Sequence, residues 1–328
     1  MFDVLIIGGG PAGMAAAMSL GRACRTVAIF DSQQYRSEAA PMMPNVLHHD
    51  GERGDIYRTS AVEEMMEKYE TLTFIDTYIT TARNMNRETT QLCEVTNDKG
   101  ATWIGRKLIL ATGTKDIMPA IKGYKEQWGH GIVHCLFCDG YEFLGGRVGV
   151  LGLPSPAELL PVLMAFPLAP DGVTIYTNGE SYAIDLDTRE ALDTVAARGA
   201  KFDNRVIESI SEDPEGVGIR LHFRTGLDQQ VKMLLSHPLS VNRAEHLITG
   251  LGLETHAKAG HVICKGYFGE TSLDGCFAAG DTSTITRTIP VALASGSLAG
   301  IGAAKQLALD EGLRAAQEGS AKKTRGSL

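Results

Sequence analysis

The chain of 328 residues has no surplus of positive charge; its net charge is -8. Nucleic acid and anionic membranes select basic surfaces, so neither is expected as a partner. No apolar run is long enough to span a bilayer, and the most apolar stretch, 159–169, is short and interrupted by Pro161 and Pro167. The start, Met1-Phe2-Asp3-Val4, enters a strand pattern with neither the basic flank nor the separate apolar segment of a signal peptide, so a cytoplasmic setting is the expectation. Paired cysteine is also scarce. Among Cys24, Cys93, Cys135, Cys138, Cys264 and Cys276, only Cys135 and Cys138 have a motif spacing, and no second ligand pair completes a zinc site. The other four read as core thiols.

What is present suits an α/β protein of two domains: 44% hydrophobic residues, 21% charged and 37 glycines support two cores joined by many turns. At the centre stands His134-Cys135-Leu136-Phe137-Cys138-Asp139-Gly140. Two thiols three positions apart share one face of a helical turn and can open and close as a disulfide. A position early in a helix favours the thiolate. Asp139 follows directly and can take or return a proton as sulfurs change partners. Redox chemistry is therefore expected, with half a zinc site as the alternative.

The N-terminal third carries a dinucleotide fingerprint in its required context. An apolar strand pattern at 2–7 leads into Gly8-Gly9-Gly10-Pro11-Ala12-Gly13, and a helix pattern follows from Met14. Gly8 permits the tight turn, Gly10 lets backbone approach a pyrophosphate, and Gly13 lets helix and strand pack closely. The helix N-terminus then faces the phosphates. A second strand, 26–30, ends in Asp31, placed to accept hydrogen bonds from an adenosine ribose. Residues 35–50 read as a loop; adjacent side chains rarely face one ion, so His48-His49-Asp50 is expected to border an active site rather than hold a metal. A helix is expected over 56–69, with Glu63, Glu64 and Glu67 on its solvated face. Strand patterns at 107–110 and 273–278 close on the turns Ala111-Thr112-Gly113 and Gly280-Asp281, and a small-residue helix is expected over 289–307.

After the cysteine pair the pattern repeats in damaged form: strand 147–151, loop 152–157, helix 158–166, strand 173–176. Only Gly152 survives of the loop glycines. Pro154 and Pro156 remove backbone donors that phosphates would need. The strand ends in Thr177-Asn178-Gly179, with neither an acid for a ribose nor cations for a 2′-phosphate, so an inherited scaffold without its nicotinamide ligand is the expectation. The fold class is thus α/β, with two Rossmann-like dinucleotide-binding domains, the second inserted in the first. The boundaries are 1–115 with 245–328 for the cofactor domain and 116–244 for the degenerate domain carrying the cysteines. The tail 311–328, with Lys322, Lys323 and Arg325, reads as disordered.

The segments 8–13, 111–113, 135–139 and 275–281 together resemble the low-molecular-weight thioredoxin reductases, which are two-domain flavoproteins. Within that group HCLFCDGYE (134–142) and VTIYTNG (173–179) are similar to the fungal gliotoxin-type dithiol oxidases. The resemblance implies FAD, held by Gly8, Gly10, Pro11, Ala12, Gly13, Asp31, Asn45, Thr112, Gly113, Gly280 and Asp281. It also implies oxidation of a small dithiol of the epipolythiodioxopiperazine type, with O2 as acceptor and hydrogen peroxide as product, by a homodimer. Cys135 would be the outer sulfur and Cys138 the flavin-side one, with Asp139 and His134 handling protons. Thioredoxin reductases differ in having a full second glycine loop and a His-Arg-Arg cluster where this chain has Tyr176-Thr177-Asn178. An NADPH-dependent disulfide reductase and a flavin redox sensor without turnover are the alternatives.

Overall fold

The structure is a computed structural model that describes residues 1–85, 92–152, 156, 158–180 and 185–325, with side chains to residue 319. In chain order it begins with β1 (Phe2–Ile7), α1 (Pro11–Arg22), β2 (Val27–Asp31), α2 (Gly54–Lys68), β3 (Leu72–Asp76), β4 (Ile79–Asn84), β5 (Cys93–Asn97), β6 (Thr102–Leu110) and β7 (Thr114–Ile117). There follow α3 (Tyr124–Gln127), β8 (Ile132–Val133), α4 (Leu136–Asp139), β9 (Val148–Leu151), α5 (Leu159–Ala165), β10 (Val173–Tyr176), α6 (Leu186–Ala197), β11 (Lys201–Asp203), β12 (Ile207–Glu212), β13 (Ile219–Phe223), β14 (Gln229–Val231) and β15 (Met233–Ser236). The chain closes with β16 (Leu239–Asn242), α7 (Glu245–Gly250), β17 (Cys276–Ala278) and α8 (Ile289–Arg325).

These elements form two units, one of residues 1–36, 55–115 and 241 onward, the other of 37–54 and 116–240. The chain crosses between them within β7 and β16. In the first unit β3, β2, β1 and β6 run parallel in that spatial order, with β17 parallel to β6, while β5 and β4 extend the sheet antiparallel. Strand β1 is apolar on both faces because both are covered. Val4 and Ile6 pack with Leu20 of α1 and Leu307 of α8, whereas Leu5 and Ile7 pack with Leu108, Leu110 and Leu247 of α7. Small residues let α8 lie close on α1: a Cβ on Gly296 would collide with the Ala12 carbonyl, and one on Gly300 with that of Ala16.

The second unit repeats the parallel arrangement in the order β11, β10, β9, β15, β8, beside an antiparallel sheet of β12, β13 and β14. Val148, Val150 and Ile175 meet Val162 and Ala165 of α5 on one side, while Tyr176 and Leu234 join Ile210, Leu221 and Phe223 in a second core. Residues 37–54, assigned by sequence to the first domain, cluster instead with this unit. Gly129, at φ +79°, admits the Ala39–Ala40 backbone so closely that an added Cβ would stand 2.9 Å from it, and Met43 and Val46 are buried.

The tail is a second departure. Residues 311–325, expected to be disordered, continue α8. Extending an existing helix needs no new nucleus. Ion pairs also hold its root, with Glu311 at 2.7 Å from Arg25 and 2.6 Å from Arg106, and Asp310 at 2.9 Å from the buried Lys107.

Candidate active site

Cys135 and Cys138 are joined as a disulfide in the second unit. Strand β8 ends at Val133, and Cys135, in extended conformation, caps the short α4 that carries Cys138 and Asp139. The Cys138 backbone N–H donates to the Cys135 sulfur at 3.1 Å. That donor lowers the cost of negative charge on Cys135 when the bond opens. Gly140 closes the turn, since a Cβ there would press on the Leu136 carbonyl and the Leu168 side chain. Burial, and then the Glu142 carboxylate, push the Asp139 carboxyl up to about 6. It therefore exchanges a proton near neutrality. His134 stacks on Trp128 at 5.7 Å between centroids, and Trp128 stacks in turn on Tyr124 at 5.9 Å. The imidazole orientation is thus set by an aromatic column rooted in the core.

The first unit builds the dinucleotide cradle. Gly8, at φ +114°, turns the chain beneath the Ala111 carbonyl, where a Cβ would collide, and a Cβ on Gly13 would strike the Gly8 carbonyl. Gly10 faces open space, and Pro11 begins α1, so the helix terminus is presented without a side chain in the way. Ala12 lies 2.9 Å from where a Cβ of Gly280 would be, so the glycine loop and the Gly280-Asp281 turn meet. Thr282 is fully buried; its hydroxyl accepts from the Gly113 N–H at 2.8 Å and lies 3.3 Å from the Thr112 hydroxyl. Gly280 N–H donates to Ser295 of α8 at 2.9 Å. Asp281 sits eight residues ahead of α8 in a short 3-10 turn rather than at the helix start, and accepts from Arg36 and Thr114, each at 3.4 Å.

Asp31 ends β2 with both carboxylate oxygens engaged. One accepts from the Gln33 N–H at 2.9 Å, the other from the Tyr35 hydroxyl at 2.5 Å, and the Arg58 guanidinium lies 3.8 Å above the Tyr35 ring. An open glycine loop on a helix N-terminus with an acid at the next strand end fits the pyrophosphate and the adenosine ribose of FAD. Sequence reasoning missed Tyr35, Arg36, Thr282 and Ser295. Thr282 could have been suspected from its place beside Gly280-Asp281; the others have no local signal.

The remaining nominations are dispersed. Asn45 is exposed, at φ +60°, and its N–H donates to Asp50 within the 37–54 loop of the second unit. In the same loop His49 lies 2.6 Å from Glu52. No group of three or more metal-type ligands occurs among the described residues. Cys93 and Cys276 are buried, and burial pushes their thiols up to about 12 and that of Cys264 to about 11. Cys24, expected in the core, is exposed, because it stands at φ +55° in the turn that leaves α1. The damaged loop residues Leu153, Pro154, Ser155 and Ala157 lie outside the described residues. At the end of β10, Asn178 accepts the Ile207 N–H on its side-chain oxygen at 2.8 Å, and the Tyr176 hydroxyl donates to Gln229 at 2.7 Å. On the neighbouring β11 exit, Arg205 is bound to Asp203 at 2.6 Å and lies over the Phe223 ring. No helix among the described residues is long and apolar enough to cross a membrane.

Comparison with known proteins places this geometry. The family model "Pyridine nucleotide-disulphide oxidoreductase" matches residues 2–152. Thioredoxin reductase aclD of Aspergillus oryzae is 38% identical over 95% of this chain and 98% of its own length. Thioredoxin reductase tcpT of Claviceps purpurea is 36% identical over 94% of this chain and 95% of its own. Among solved structures, that of HlmI superposes with a TM-score of 0.87 at 24% identity, covering 98% of this chain and 97% of HlmI, a likeness of fold.

Proposed function

The chain belongs to the thioredoxin reductase-like branch of the pyridine nucleotide-disulphide oxidoreductases, which are FAD-dependent enzymes; within that family we propose that it is a dithiol oxidase. It closes a disulfide in a small-molecule dithiol of the epipolythiodioxopiperazine class and hands the electrons to O2. Two substrate thiols lose two protons and two electrons; one S–S bond forms in the product as the Cys135–Cys138 bond breaks. Oxygen takes up two electrons and two protons as hydrogen peroxide, and the enzyme disulfide is restored.

In this reading a substrate thiolate attacks Cys135, and a second substrate thiolate resolves the mixed disulfide. The Cys138 N–H at the Cys135 sulfur favours the thiolate that this exchange leaves behind. Asp139, with its carboxyl near 6, holds or yields a proton as the sulfurs change partners, and His134 is the second proton-handling candidate. Gly8, Gly10, Pro11, Ala12, Gly13, Asp31, Thr112, Gly113, Gly280 and Asp281 would hold FAD; Asn45, in the other unit's loop, belongs to the same set by resemblance alone. When bound, FAD supplies the two-electron relay from the cysteine pair to oxygen. A homodimer in the cytoplasm is the setting this reading carries.

The observation that carries it is the end of β10. The side chains that would read a pyridine nucleotide there are committed inward, Asn178 to Ile207 and Tyr176 to Gln229, and Arg205 is engaged by Asp203. This supports electrons entering through sulfur. The relatives named thioredoxin reductase favour the reverse reaction, a disulfide reductase using NADPH. Anaerobic mixing separates the two. A small dithiol such as dithiothreitol should bleach the visible flavin band, and air should then release peroxide in proportion to dithiol consumed; rapid bleaching by NADPH instead would reverse the assignment.

A further inference from the structure

The turn after β2 does more than end a strand. Gln33 takes up a left-handed conformation at φ +57°, a strain that a non-glycine residue adopts only when its surroundings fix it. The strain brings the Gln33 N–H onto one oxygen of Asp31, and the chain then returns Tyr35 so that its hydroxyl donates to the other. A carboxylate offers about four lone-pair positions. Among the described residues two are filled by these donors, one on each oxygen, which leaves one on each for a ligand. Two acceptor positions on neighbouring oxygens match a vicinal diol, the 2′- and 3′-hydroxyls of an adenosine ribose. Gly9 supplies the clearance, since a Cβ on it would run into the Asp31 carboxylate.

We propose that Tyr35 is a positioning residue for cofactor binding: its hydroxyl fixes the rotation of the Asp31 carboxylate so that the two free lone pairs face the adenosine ribose, and Arg58 holds the Tyr35 ring in place. The proposal rests on the reading of the first unit as the FAD site. Arg58 lies 3.8 Å from the ring centroid, a cation–π contact that fixes the ring from α2. Burial, and then the hydrogen bond to Asp31, raise the phenol well above its ordinary value, so it stays a donor throughout the working pH range. A charge-assisted O–H to carboxylate bond is among the stronger side-chain bonds, and losing it leaves Asp31 free to rotate.

The test uses the full chain, freed of flavin and titrated with FAD and, separately, with flavin mononucleotide, reading flavin fluorescence. Flavin mononucleotide lacks the adenosine and cannot report on Asp31. Tyr35→Phe should weaken FAD binding roughly tenfold and leave mononucleotide affinity and the melting temperature of the flavin-free protein unchanged; Arg58→Gln should give a smaller loss of the same kind. Equal weakening of both flavins, or no change in either, overturns the role of Tyr35. If Tyr35→Phe fails to fold, Arg58→Gln decides alone by the same FAD-against-mononucleotide contrast. Asp31→Asn separates the layers: weakened FAD binding there with none in Tyr35→Phe removes the proposal and keeps the cofactor site, whereas a wild-type chain that takes up no FAD removes the site itself.

Discussion

The two parallel-sheet units have the same architectural idea and different side chains at the same place. In each, a central apolar strand leads through a positive-φ glycine, Gly8 or Gly152, and a parallel neighbour lies alongside. At the end of that neighbour the first unit presents Asp31, held by Gln33 and Tyr35 with lone pairs to spare, whereas the second presents Asn178, whose side chain closes onto Ile207. The sheets persist because they rest on buried apolar faces that many residues share. Ligand recognition rests on a handful of polar groups and can vanish without disturbing the packing. The second unit instead carries a short covalent device, the Cys135–Cys138 disulfide turn.

The sharpest way to break this contrast is to silence that device. Cys138→Ser should lower dithiol oxidation by about a thousandfold or more while the protein stays yellow; steady-state peroxide release beside the flavin spectrum checks it. Next come the paired loop glycines. Gly13→Val should drive side-chain atoms into the Gly8 carbonyl and weaken FAD at least roughly hundredfold. Gly152→Ala, which meets open space at φ +107°, should cost about 1–2 kcal/mol of stability from backbone strain and leave FAD affinity as it was. Retention of FAD in Gly13→Val would abolish the distinction between the loops.

A third handle is pH. The Asp139 carboxyl is raised from 3.8 to about 6, so the folded state holds its proton more tightly than the unfolded chain does. Its contribution to stability is therefore present at low pH and lost as pH rises through about 4 to 6. Asp139→Asn should open a melting-temperature advantage over the parent that grows across this window, and should remove an inflection near pH 6 from the rate of flavin bleaching by dithiol. The smallest effect belongs to the helix root of the first unit. Glu311, pulled down to about 2 by hydrogen bonds to Arg25 and then Arg106, stabilises above its ordinary range and loses that contribution as pH falls towards 2. It is partly exposed, so Glu311→Gln should cost below about 1 kcal/mol in urea unfolding at neutral pH.

The strands 173–176 and 2–7 were legible because a buried parallel strand needs an unbroken apolar run, and the glycine loop because its turn excludes side chains at fixed spacings. The strand pattern at 107–110 is the end of a longer strand, β6, that begins at Thr102, with Arg106 drawn to Asp3 and Glu311. The polar strands β12 and β16 and helix α6 left no strong period to read, and their identity comes from neighbours in the sheet or core. The tail was misjudged because composition does not register that a helix is already under way at its start.

Short-range necessity is what the amino-acid order settled alone: a tight glycine turn before a helix, an acid at a strand end, two thiols in one turn, and a second loop that keeps only its first glycine. Each of these depends on atoms within a few residues, so the chain writes them locally. Only folding decided that loop 37–54 clusters with the unit of the cysteines, that Arg36 reaches Asp281, that Thr282 ties down Gly113, and that Cys24 stands in solvent. Most of those outcomes join residues far apart in sequence, and such contacts are set by which buried faces close on each other, a property of the whole core that no single window of sequence contains.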